Sequence, residues 1–211
     1  MRICTLAALV LVAAGCGGST TGSGHIVTVS RTVTGFSSID LTGAATITVA
    51  VGEPTAVRIS GDDNIVELIR TDVRDGVLVI SSKHGYKSDH MLAVRIATPA
   101  LDGVKLQGSG TVTASGIRAT AFALALSGTG TLDLAGTVGT LETNVSGVGS
   151  AVLQHLVARD AHVTLSGTGS VHVYVTGTLD ATVNGVGSIV YSGHPARVES
   201  HVSGVGTIAA A

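Results

Sequence analysis

Aromatic residues make up only 2% of this 211-residue sequence, and Phe36, Tyr86, Phe122, Tyr174 and Tyr191 are the full set. So few rings leave little material for the stacking platforms that sugar- and base-binding proteins use. Charge is also scarce: Asp, Glu, Lys and Arg reach 12%, against about 25% in an average globular protein, and the net charge is -2. A chain with that balance has no long-range field to draw in a polyanion, which excludes nucleic acid as a partner. There are two cysteines, Cys4 and Cys16, both within the first sixteen residues. The body of the chain therefore has no thiol for a disulfide, a zinc cage or a nucleophile.

In place of these the sequence has 29 glycines and a hydrophobic fraction of 45%, mostly small and β-branched residues. Such a chain can fill one core, and its composition suits thin, repetitive β-structure.

The first residues read as an address. Met1-Arg2 is followed by an uncharged run of 12 residues, Ile3 to Ala14, and then by Gly15-Cys16. That run is too short to span a bilayer, which takes about 20 residues, and has the form of a signal-peptide core. Val12-Ala13-Ala14-Gly15-Cys16 resembles the lipobox of bacterial lipoproteins, with Ala13 where Leu is usual. The resemblance implies cleavage before Cys16 and its acylation, and hence a membrane partner through the lipid. Gly17 to Gly24 reads as a flexible tether. The expected organisation is a signal peptide over 1–15, a lipidated Cys16 with its tether over 16–30, and one folded domain over 31–211.

The fold is carried by a repeat. Gln107-Gly108-Ser109-Gly110, Ser127-Gly128-Thr129-Gly130, Ser146-Gly147-Val148-Gly149, Ser166-Gly167-Thr168-Gly169, Asn184-Gly185-Val186-Gly187 and Ser203-Gly204-Val205-Gly206 follow one another at spacings of 20, 19, 20, 18 and 19. Two residues before the first glycine stand Leu106, Leu126, Val145, Leu165, Val183 and Val202. Four after it stand Val112, Leu132, Ala151, Val171, Ile189 and Ile208. The residues flanking these positions are polar. Period-two alternation within a period of about 19 predicts strands on stacked coils, an all-β solenoid or β-helix, with apolar columns inside and hydroxyl ladders outside. The same alternation places both motif glycines on the inward side.

Residues 31–105 are less regular and more charged. Strands are expected at Ala45 to Val51, Ala56 to Ser60, Gly76 to Ser82 and Met91 to Ala97. Asp63 to Arg70 has a capping residue and helical spacing, predicting one short helix over an end or edge of the solenoid. The charged front half is expected to cap one end of the stack. Nothing polar follows Ile208 to blunt the other, which predicts end-to-end self-association or a protein partner there.

The segments Arg31 to Leu41 and Val94 to Val104, with the repeats, resemble the head GIN domain of autotransporter-type adhesins. The resemblance covers about residues 31–208 and implies a β-helical fold and a surface role. It carries over no catalytic or binding residue.

Chemistry is sparse. His155, His162, His172, His194 and His201 occupy different places in the repeat and form no column, and Asp62-Asp63-Asn64 reads as a turn with a helix cap in preference to a calcium site. No metal, cofactor or catalytic residue is expected. The predicted function is a non-enzymatic, lipid-anchored scaffold of the bacterial envelope for interaction or adhesion. A β-helical polysaccharide-processing enzyme is the alternative. A lesser one is an ice-binding solenoid, suggested by hydroxyl arrays such as Thr129-Gly130-Thr131.

Overall fold

The computed structural model describes residues 19–211. Two long walls of stacked strands enclose a continuous apolar core, and a shorter third side closes the coils. Wall one runs in spatial order Ile69–Arg74, Val77–Ser82, Ser38–Leu41, Gly103–Leu106, then the second halves of Ser109–Leu126, Thr129–Val145 and Val148–Leu165, then Thr178–Val183 and Arg197–Val202. Wall two runs Ile26–Arg31, Ala56–Asp62, Ala93–Thr98, Ala44–Val51, then the first halves of the same three long strands, then Thr168–Val175, Val186–Ser192 and Val205–Ala210. The all-β solenoid expected from the repeat is therefore the fold.

The predicted columns exist. Leu106, Leu126, Val145, Leu165 and Val183 are fully buried, as are Val112, Leu132, Ala151, Val171 and Ile189, and each series is in parallel register from coil to coil. The last members, Val202 and Ile208, are not buried.

The motif glycines correct the sequence reading: they lie at a corner, facing neither core nor solvent. At each corner one carbonyl accepts two amides of the next coil, as Leu106 O does from Ser127 N and Gly128 N, both at 3.0 Å. The carbonyl of the preceding glycine accepts the next bond, Thr129 N to Gly108 O at 2.9 Å. A Cβ on Gly128 would land on that same Gly108 oxygen, and the collision recurs at Gly147, Gly167, Gly185 and Gly204. The neighbouring coil's backbone excludes a side chain there. The second glycine is required for its conformation: Gly110, Gly130, Gly149, Gly169 and Gly187 have φ between 144° and 155°, a region essentially reserved for glycine.

In the front half the coils do not stack in chain order. Ser38–Leu41 and Ala44–Val51 pair on one side with Val77–Ser82 and Ala93–Thr98, and on the other with Gly103–Leu106 and the start of Ser109–Leu126. The chain thus passes through one coil, forms the cap, adds an outer coil beneath the first and then returns over it. The cap closes both walls with antiparallel strands, Ile69–Arg74 on one and Ala56–Asp62 with Ile26–Arg31 on the other. The helix joining them is shorter than expected, Asp63–Val66, with Ile65 and Val66 buried against the end of the core. Ile69 and Arg70 belong to the next strand.

Ordered pairing also begins before residue 31, within the stretch read as tether. Thr20–Thr21 pairs with Tyr86–Lys87, and Ile26–Arg31 is a sheet strand. The signal peptide over 1–15 and Cys16 lie outside the described residues.

Candidate functional site

The Asp62-Asp63-Asn64 turn is a clasp for the N-terminal segment. Thr20 N donates to Gly85 O at 3.1 Å and Gly22 N to Lys87 O at 2.7 Å, which lays the segment beside the 83–90 loop. Gly24 N donates to Asp62 Oδ1 at 2.7 Å, Ser23 Oγ to Asp63 Oδ1 at 2.5 Å, and Ser23 N to Asn64 Oδ1 at 3.1 Å. Asn64 Nδ2 returns a bond to Thr21 O at 2.8 Å. Asp62 sits in the N-cap position but makes no capping bond. Its carboxylate, almost wholly buried, instead accepts from the Ser88 hydroxyl and Gly24, with His90 Nδ1 3.8 Å away.

These donors set the charge state. The Ser88 hydroxyl, then Gly24 N–H and His90, hold Asp62 below the usual aspartate range against the opposing effect of burial. The Ser23 hydroxyl and Asn64 N–H do the same for Asp63. The oxygens that could have faced calcium are thus occupied by protein donors, and Asp62, at the N-cap position, makes a tertiary contact in place of a capping bond.

The second candidate is the outer face of wall one, where the register aligns Ser38, Gly103, Ala123, Glu142, His162, Asp180 and Glu199 in one column. Gly103 and Ala123 have little or no side chain, so the face is hollowed beside Lys105, Asp40 and Glu142 into a groove of about 510 Å³. Asp40 accepts both its bonds from Gln107 Nε2, at 2.8 and 2.9 Å. Further along, His162 Nδ1 lies 3.0 Å from Asp180 Oδ2. Placing the histidines alone in the repeat missed this column. Aligning every titratable residue finds it, since Glu142, His162, Asp180 and Glu199 all stand five before a motif glycine. Among the described residues no three His, Cys, Asp or Glu side chains converge on a point that could hold a metal.

The third is a cleft of about 770 Å³ at the capped end, between Val27 and Val29 on one wall and Ile69 on the other. Arg31 crosses it and donates from Nη2 to Val66 O at 2.9 Å, while its buried Nε has no partner.

Residues 35–195 match the family described as "Putative auto-transporter adhesin, head GIN domain". Among solved structures, the chain is similar to a "putative adhesin" from Bacteroides fragilis, with 27% identity and a TM-score of 0.76 over 92% of this chain and 100% of that one. It is also similar to a "putative adhesin" from Parabacteroides merdae, with 22% identity and a TM-score of 0.57 over 92% and 99%. A "putative lipid binding protein" from Parabacteroides distasonis, at 18% identity and a TM-score of 0.50, covers 92% and 100%. The last two likenesses concern the fold alone. Among curated proteins, none matches the chain at a significant level.

Proposed function

We propose that this chain, which belongs to the head GIN domain family, is a non-enzymatic envelope protein, anchored through an acylated Cys16 and acting as a rigid scaffold for interaction or adhesion. The match of residues 35–195 to a family described by adhesion carries the reading. The solenoid suits the role because its strands stack in register along two extended walls, so a partner meets an extended surface built on a regular backbone.

The clasp adds a mechanical element. With Thr20 paired to Tyr86, three residues separate Cys16 from the folded body, about four Cα-to-Cα steps with a reach of at most about 14 Å. An anchored domain would then sit close to the bilayer, with its attachment at the capped end.

Mass spectrometry of the mature N-terminal peptide, with membrane fractionation, tests the anchor. Wild type is expected to carry acyl chains on Cys16 and to partition with membranes, and Cys16→Ser to be soluble. Cells lacking the protein are expected to attach less well to their surfaces. An unmodified Cys16 would remove the anchor, and unchanged attachment would remove the adhesion role.

A further inference from the structure

The two ends of the stack differ. At one, antiparallel strands and the helix Asp63–Val66 cover the core, and Ile69–Arg74 places Arg70, Asp72 and Arg74 around the rim. At the other, Arg197–Val202 pairs only with Thr178–Val183, and Val205–Ala210 only with Val186–Ser192, so both strands have a free edge among the described residues. Val198 and Val202 are in register with Leu179 and Val183, which are 0% exposed, yet are themselves 38% and 44% exposed. These are core side chains of a coil with nothing stacked on it, and edges of this kind are templates for further strands.

We propose that this edge docks on the same edge of a second copy related by a two-fold axis. Two copies meeting end to end in that way bring their 197–203 segments together antiparallel, and the sequence of the segment is self-complementary about Ser200. Inward positions read Val198, Ser200, Val202, so each valine faces a valine of the second copy. On the outer side Glu199 faces His201, and Arg197 faces Ser203. The contact is isologous and closes at two copies. Stacking of this edge on the capped end of another copy would instead set Val198 and Val202 against the charged rim and open a filament.

The axis passes through residue 200, where opposed Cα atoms of an antiparallel pair stand about 4.5–5.5 Å apart, within disulfide reach. In the full chain, Ser200→Cys is expected to form a 200–200 cross-link under mild oxidation, at least about tenfold more than Thr113→Cys on an outer mid-stack position. Adding Val198→Asp and Val202→Asp is expected to abolish it while leaving the melting temperature near that of Ser200→Cys, since both valines are exposed in a single copy. Sedimentation of the unsubstituted chain is expected to give a dimer that the two Asp substitutions convert to monomer. Cross-linking at the control level, cross-links only to other proteins, or a monomeric unsubstituted chain would each overturn the dock.

From Val94 through Ile47, Val112, Leu132, Ala151, Val171 and Ile189 to Ile208 there are seven inter-strand steps, about 34 Å at about 4.8 Å each. If Cys16 is anchored as proposed above, a docked pair would join molecules on facing surfaces. The cross-link tests the dock whether or not Cys16 is acylated.

Discussion

At the scale of the residue, the corner glycines and one inward hydroxyl yield opposite predictions. Gly167→Val would drive a side chain into the Gly147 carbonyl, and overpacking against backbone is expected to cost about 3 kcal/mol or more. Thr168→Val, on an exposed position of the same motif, is expected to stay within about 0.5 kcal/mol. Thermal melts of the two variants compare them directly, and equal midpoints would refute the corner assignment. Thr143 lies between Leu124 and Val163 in an inward column, and its buried hydroxyl has no partner. Thr143→Val keeps the shape and removes that hydroxyl, and is expected to stabilise by about 1 kcal/mol. A denaturant midpoint at or below wild type would contradict it.

At the scale of the element, the clasp joins a segment with almost no core contact to the cap through two carboxylates. Both have lowered pKa values in the folded state. Their contribution is therefore full above the unfolded aspartate pKa and is lost as pH falls through the lower, folded values. Hydrogen exchange at residues 20–25 is expected to accelerate, after correction for intrinsic rates, as the pH drops below the ordinary aspartate value near 3.8, before the coils open. Asp62→Ala is expected to bring the same opening to neutral pH, read as protease cleavage within 20–25. Protection equal to wild type would show that the backbone pairing of Thr20–Thr21 holds the segment without the clasp. This element was poorly legible in the sequence, because Gly17 to Gly24 has the composition of a linker. Its order depends on acceptors about 40 residues away. The strand Ala93–Thr98 was legible, since Leu92, Val94 and Ile96 alternate against half-buried or exposed neighbours.

At the scale of the molecule, a stack whose coils touch only their neighbours loses stability coil by coil. Removing residues 193–211 takes away the last coil and uncovers Leu179, Val183 and Ile189. Such a chain is expected to remain folded by circular dichroism, with a lower melting midpoint. Complete unfolding would indicate cooperativity beyond nearest neighbours. Removing the cap strand Ile26–Arg31 is expected to do more damage, measured as loss of soluble protein, because it bares the antiparallel strand Ala56–Asp62.

By itself the sequence determined the coil length and the apolar columns of the repeating part of this protein, but not that its glycines stand at corners. Each coil presents the same backbone demand to the next, so one pattern is written six times. Only the tertiary structure decided the rest. In the front half Ala45 stands in register with Gly110, and the coils stack out of chain order, so no period survives there to be read. The Asp62 clasp joins residues about 40 apart in the chain, and which strands close the capped end, Ile69–Arg74 on one wall and Ala56–Asp62 with Ile26–Arg31 on the other, appears only once every strand has been assigned its neighbours.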